Sequence, residues 1–137
     1  MILFIDTNIF LDVLLNREPL AESSEKVLNI CSEQGFKIYT TAISFANISY
    51  FVNKFRSSEA RFLLTQILNS VHIADTTARD LEKALLSKMN DLEDAYQYFT
   101  ALKIRGLKYF ITRNVKHYRN ATIPVLTPEG FIKALNK

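Results

Sequence analysis

The stretch Ile2-Leu3-Phe4-Ile5-Asp6-Thr7-Asn8-Ile9-Phe10-Leu11-Asp12-Val13-Leu14-Leu15 decides the fold. Four consecutive apolar residues closed by a polar triplet read as a strand buried on both faces. Phe10, Leu11, Leu14 and Leu15 then recur at helical spacing and form one apolar stripe. A buried strand that runs directly into a helix is the opening unit of an α/β architecture. The same pattern recurs along the chain. Apolar runs at 2–5, 37–40, 71–74, 107–111 and 123–126 predict five strands. Between them lie helical stripes through Leu20, Val27, Leu28 and Cys31, through Ile43, Phe45, Ile48, Phe51, Val52 and Phe55, and through Phe62, Leu63, Ile67 and Leu68. Leu81, Leu85 and Leu86 make another stripe, Tyr98, Phe99 and Leu102 the next, and Phe131, Ile132 and Leu135 the last. Pro19 and Pro128 each precede a stripe, as suits a first helical turn. The expectation is an α/β domain with a central, mostly parallel five-stranded sheet flanked by helices on both faces.

No repeat, low-complexity tract or Pro/Gly/Ser-rich linker divides the sequence, so residues 1–137 read as a single domain. A chain of 137 residues, 48% of them hydrophobic, buries roughly two-thirds of its unfolded surface and needs no disulfide or structural zinc. The lone Cys31 fits that reading and a reducing, cytoplasmic location. An acid after only five apolar residues argues against a signal peptide. No run approaches the ~18 apolar residues of a membrane span, so no membrane association is expected. Three Gly and three Pro in so hydrophobic a sequence exclude a disordered chain. The formal net charge of +3 permits a nucleic-acid partner without requiring one.

In an open parallel sheet the usable crevice lies beyond the carboxyl ends of the strands. Polar residues placed just after strands, and at the starts of the helices that cross back, are therefore the functional candidates. Asp6 follows the first strand, with Thr7 and Asn8 beside it to hydrogen-bond the carboxylate or cap the next helix. The competing role for Asp6 is a plain N-cap. Asp91 and Asp94 are three apart at the start of the helix through Tyr98, so they share a face, whereas Glu93 projects about 100° away from Asp94. Their competing role is also capping, since acids in a first turn suit the helix dipole. Thr112, Arg113 and Asn114 follow the strand at 107–111, at the same sheet edge as Asp6, where a turn would use the same residues. Asn47 is a polar residue in a mostly apolar helical run. Between Ala95 and Pro128 there is no acid, while Lys103, Arg105, Lys108, Arg113, Lys116 and Arg119 are all basic. Tyr109, His117 and Tyr118 are interleaved with them, an arrangement able to track phosphates and stack on unpaired bases, or to form an ordinary solvated surface. Arg113 and Lys116, beside Asn114, are the better candidates for phosphate contacts with a nucleic acid; Lys103 and Arg105, near a helix end, read as surface, and neither histidine is assigned a catalytic role.

On these residues the chain resembles the PIN domain, the metal-dependent ribonuclease fold of VapC-type toxins in bacterial toxin–antitoxin pairs. The resemblance spans nearly the whole length. It rests on Ile5-Asp6-Thr7-Asn8-Ile9-Phe10-Leu11-Asp12-Val13-Leu14, on the helix with Asn47, on Asp91-Leu92-Glu93-Asp94-Ala95 followed by Ala101-Leu102, on Tyr109-Phe110-Ile111-Thr112-Arg113-Asn114, and on Ile123-Pro124-Val125-Leu126-Thr127-Pro128-Glu129. The resemblance implies that Asp6 and Asp94 match the family's first and third acids, with Asp91 supporting them. These acids would bind Mg²⁺ or Mn²⁺ and, with Asn114, catalyse RNA hydrolysis. Thr7, Asn8, Asn47 and Thr112 would be supporting polar groups. Asn47 stands where the family usually has Glu, and Asn114 where many members have Asp. Each Asn keeps a carbonyl oxygen but loses a negative charge, so metal binding should be weak without RNA. The resemblance also implies a homodimer and a cognate antitoxin whose peptide enters the acidic site. The alternative is a catalytically silent PIN domain that binds RNA or protein. A phosphoryl-transfer domain with Asp6 as nucleophile would want an Asp at position 8, where Asn8 stands.

Overall fold

The computed structural model describes residues Met1–Lys137. Five strands, β1 (Ile2–Ile5), β2 (Lys37–Thr41), β3 (His72–Ala74), β4 (Leu107–Ile111) and β5 (Val125–Leu126), form one sheet in the order β3-β2-β1-β4-β5. Every pairing is parallel. Seven helices connect and flank them: α1 (Thr7–Leu14), α2 (Leu20–Gln34), α3 (Ala42–Phe55), α4 (Ala60–Ser70), α5 (Ala78–Leu86), α6 (Leu92–Ala101) and α7 (Pro128–Leu135). No helix is long and apolar enough to cross a membrane.

The centre of the sheet follows from alternation along β1. Leu3 and Ile5 join a cluster with Ile9, Phe10, Val27, Ile48, Val52 and Phe131, which packs α1, α2, α3 and α7 onto one face. Phe4 points to the other face, where it stacks on Phe110 at 4.8 Å between ring centroids and meets Tyr98, Ala101 and Tyr118. Both faces of the strand are thus dry, which is why its sequence is uninterrupted by polar residues. Fully burying each such large side chain contributes about 1.5–3 kcal/mol. The same alternation sends Asp6 to the side of Phe4, the α6 side, and its N–H continues the ladder to the Ile111 carbonyl at 2.9 Å.

The helix starts are chemically explicit. Thr41, Thr77 and Thr127 each accept a backbone N–H with their hydroxyls at the starts of α3, α5 and α7, and Pro128 occupies the first turn of α7 as expected. β5 keeps only two residues of the 123–126 run, with the Pro124 carbonyl accepting the Phe110 N–H at 2.9 Å. The stripe through Leu81, Leu85 and Leu86 does not face inward: Leu85 and Leu86 are 61% and 80% exposed. α5 instead turns Asp80 and Ala84 inward. Asp80 closes a capping box with Thr77 and forms an ion pair with Lys103, and Ala84 lets the helix approach closely. Phe55, Phe62 and Leu68 of the α3 and α4 stripes are likewise exposed, as is Tyr50 of α3.

Candidate active site

Asp6 ends β1 at the middle of the sheet, 3% exposed, and both its oxygens are held. Oδ1 accepts the Gln97 Nε2–H of α6 at 2.8 Å, and Oδ2 accepts the Thr112 hydroxyl, just past β4, at 2.6 Å. The orientation of the Gln97 amide is itself fixed. Its Oε1 accepts the Ser44 hydroxyl of α3 at 2.9 Å and the Thr7 hydroxyl at 3.3 Å, which directs the NH₂ end at Asp6. Two elements therefore hold the carboxylate directly, and two more hold it through Gln97. Burial pushes its pKa from 3.8 up to about 6, the Thr112 and Gln97 hydrogen bonds oppose that rise, and the charge of Asp94 adds to it.

Around this fixed centre stands a more open ring. Asp94, one turn before Gln97 on α6, is half-buried, and its Oδ2 lies 2.7 Å from His117 Nδ1. Burial raises its pKa above the ordinary carboxylate range, His117 pulls it down, and Asp91 pushes it up. Asp91 is exposed and caps α6, its Oδ1 accepting the Asp94 N–H at 2.9 Å. The capping role weighed for this residue is thus present in the structure. Glu93 lies beside Asn47 of α3 and Thr7 of α1; partial burial, the largest effect, and the charges of Asp91 and Asp94 raise its pKa, while Asn47 and Thr7 lower it, for a net rise. The Tyr118 hydroxyl is buried beneath these acids, and its pKa is driven upward by burial first and then by Asp6, Asp94 and Asp91.

Comparison with known proteins follows the same lines. The family model of the PIN domain matches residues 3–116, most of the chain and all of the elements that carry these acids. The chain belongs to the PIN domain family. Two solved structures share the fold. One is VapBC2 from Rickettsia felis bound to a DNA fragment from its promoter, at 22% identity and a TM-score of 0.67, covering 93% of this chain and 98% of that one. The other is a toxin–antitoxin complex from Klebsiella pneumoniae, at 25% identity and a TM-score of 0.63, covering 91% and 96%. No curated protein matches this sequence.

Within this PIN domain the residues singled out from sequence separate into three groups. Asp6, Thr7 and Thr112 form the buried centre, with Asp94, Asp91 and Asn47 beside it. Asn8 lies next to Asp6 in the chain, and its buried Oδ1 has no hydrogen-bond partner. Asn114 is exposed, and its backbone N–H rests on the Thr112 hydroxyl at 3.1 Å. Arg113 is turned inward: Nε lies 2.8 Å from Oδ2 of the fully buried Asp12, which also accepts the Ser24 hydroxyl at 3.0 Å. Lys116 is exposed on the rim. Gln97 is absent from the sequence reading, and Glu93 enters it only as a residue turned away from Asp94. Gln97 was findable as a residue three after Asp94, on the same helical face.

Of the three acids expected to hold a metal, Asp6 and Asp94 are neighbours, and Asp91 stands at the start of α6. No three acidic, His or Cys side chains come close enough to form a coordination shell. The reason is that Asp91 is drawn back onto its own helix start, while the oxygens of Asp6 already receive protein donors. What remains still fits a hard cation that keeps much of its water: Asp6 and Asp94 raise each other's energy as neighbouring anions, and Asn8 offers an unused buried carbonyl oxygen. Mg²⁺ is commonly held in that way, through one or two carboxylates, waters and substrate phosphates.

Proposed function

We propose that this PIN domain is a divalent-metal-dependent endoribonuclease, the toxin of a toxin–antitoxin pair, that hydrolyses RNA phosphodiester bonds with Mg²⁺ or Mn²⁺. The observation that carries the reading is the Asp6 carboxylate, immobilised by Gln97 and Thr112 at the sheet edge with Asp94 beside it. Burying an anion next to another anion costs stability, and such arrangements concentrate at working sites. That both neighbouring structures come from toxin–antitoxin systems supports the toxin assignment.

Asp6 and Asp94 would hold the cation, with Glu93 and the carbonyls of Asn8 and Asn114 available to its water shell. The bound cation supplies neutralisation of the phosphate and a lowered pKa for water. This chain's residues do the rest. Gln97 and Thr112 stop the Asp6 carboxylate from rotating, so its lone pairs face one direction before substrate arrives. His117 holds the Asp94 carboxylate through Oδ2. Lys116 offers a phosphate contact on the rim, and Arg113, with Nε committed to Asp12, presents only what its outer nitrogens can reach. Hydrolysis adds water across one P–O bond, leaving a phosphate monoester on one fragment and a hydroxyl on the other.

A cytoplasmic site of action fits the single buried thiol. A cognate antitoxin and a homodimer are part of the same proposal; Tyr50 and Phe55 of α3 and Phe62 of α4, each more than 60% exposed, supply an apolar surface for one of them. A second reading, a silent RNA- or protein-binding PIN domain, is favoured by the neutral Asn47 and Asn114. RNA cleavage by the wild type and by an Asp6→Ala/Asp94→Ala double variant, in Mg²⁺, in Mn²⁺ and in EDTA, separates the two. The nuclease reading expects cleavage only in wild type with metal. No cleavage, together with no thermal stabilisation by Mn²⁺, selects the silent module. Robust cleavage at micromolar metal would overturn the weak-site argument drawn from the two Asn residues.

A further inference from the structure

Adjoining the acidic ring, and sharing Asp91 and His117 with it, lies a cleft of about 480 Å³ between the start of α6, the segment before it and the loop after β4. Its volume falls within the roughly 300–1,000 Å³ typical of small-ligand sites. Three kinds of group line it. Tyr98, Phe99, His117 and Tyr118 give it an aromatic wall; Lys88, Lys116 and Arg119 give it positive charge; Asn90 and Asn120 give it amides that both donate and accept. The wall is rigid. Phe99 packs edge-on against Tyr98 at 5.2 Å, Tyr98 lies 6.2 Å from Tyr118, and the Tyr98 hydroxyl is fixed by the Thr122 N–H at 2.9 Å. The cleft also touches the acidic site directly, because His117 and Asp91 line it and His117 is bonded to Asp94.

We propose that this cleft is a nucleotide subsite, which takes one unstacked ribonucleotide of the RNA beside the bond to be cut. The proposal deepens the nuclease reading and rests on it. Aromatic faces accept any base by stacking, and cations beside them hold the backbone phosphate. Amides in such a cleft read hydrogen-bonding edges, so Asn90 and Asn120 make the site base-selective rather than merely base-tolerant. A basic or neutral peptide side chain meets one acid, Asp91, against three cations in this cleft, and an acidic one has no ring to lay on the aromatic wall, whereas a nucleotide brings both the negative charge and the ring. The RNA occupant is therefore the one that its charge favours.

The test needs no catalysis. Nucleoside 5′-monophosphates are titrated into the intact protein in EDTA and followed by NMR, with ribose 5-phosphate and inorganic phosphate as controls. The expected result is base-dependent binding, with shifts centred on Phe99, His117 and Arg119. Affinity should fall about tenfold or more when the cleft is filled by Ala121→Trp, the size of loss expected for one stacked base. Should that variant fail to fold, Arg119→Ala with Asn120→Ala should cause the same loss. Ribose 5-phosphate binding as tightly as the nucleotides, or a folded filling variant that binds unchanged, overturns the subsite. Mapping the ends of cleaved RNA is the second arm: a base preference next to the cut should flatten in Asn90→Ala/Asn120→Ala, and a preserved preference refutes the readout. Nucleotide binding without RNA cleavage would sink the nuclease reading alone, and cleavage without nucleotide binding would sink the subsite alone.

Discussion

Replacing Asp6 by Asn should make the protein more stable at pH 8 and, under the nuclease reading, abolish RNA cleavage. The structure sets the size of the gain. Burial raises the Asp6 pKa from 3.8 to about 6, and each unit corresponds to about 1.4 kcal/mol, so carrying this charge costs the native state about 3 kcal/mol once the group is ionised. Asn removes the charge but not the geometry. One of its two polar ends meets a donor where the carboxylate accepted the Gln97 amide at 2.8 Å or the Thr112 hydroxyl at 2.6 Å, which costs about 1–2 kcal/mol. The net gain is about 1–2 kcal/mol, or roughly 3–8 °C in Tm for a chain of this length. Its pH dependence carries the sign. Because the folded pKa is raised, the wild type is free of the penalty below about pH 4, acquires it through the interval from 3.8 to 6, and bears it fully above that. The advantage of Asp6→Asn should therefore be largest above pH 7 and shrink, or reverse, toward pH 4. Relief of Asp94, whose charge acts on Asp6, works in the same direction. Thermal melts of both proteins from pH 4 to pH 8, in EDTA, measure this difference. A variant less stable than wild type at pH 8, or a difference flat across that range, would refute the account of Asp6 as a strained buried anion.

Glu93→Gln should lower RNA cleavage and Mn²⁺ affinity by about tenfold while shifting stability by less than about 0.5 kcal/mol, since the residue is exposed apart from its contacts with Asn47 and Thr7; unchanged Mn²⁺ binding by calorimetry would remove Glu93 from the site. Arg113→Met leaves Asp12 buried without its ion-pair partner and should cost about 3 kcal/mol in chemical denaturation, whereas a residue used only for RNA would leave the denaturation midpoint in place. Asp91→Ala removes the cap of α6 and should cost about 1 kcal/mol, with cleavage falling less than in Asp94→Ala; equal losses of cleavage would place Asp91 on the metal rather than on the helix.

The sheet was legible because doubly buried parallel strands must be written as short apolar runs, and Asp6 and Thr112 were legible because they follow two of those runs at the edge where such sheets do their chemistry. The interior of the site was not. Gln97 reads as a polar mid-helix residue, and only the folded chain brings Thr7 and Ser44 from two other helices onto its carbonyl. Glu93 was set aside because its helical angle points away from Asp94, yet that angle points it toward Asn47 on α3, a neighbour fixed by tertiary packing. Arg113 reads as a phosphate contact from its place after β4, and only the folded chain brings its Nε to Asp12, which sits at the far end of the sequence inside an apolar helix. The Leu81, Leu85 and Leu86 stripe misled for a related reason: a capping box and an ion pair at Asp80 determine which side of α5 turns inward.

The hydroxyls that grip the carbonyl end of Gln97 have a kinetic consequence. They settle the central amide and carboxylate during folding, so this part of the molecule has almost nowhere left to go when a substrate binds. Under the nuclease reading, slow steps and adaptation to different RNAs would then reside in the exposed periphery, at Glu93, Asn114 and His117. Substitutions that accumulate there should retune turnover gradually, whereas a change at Ser44 or Gln97 should act as a switch.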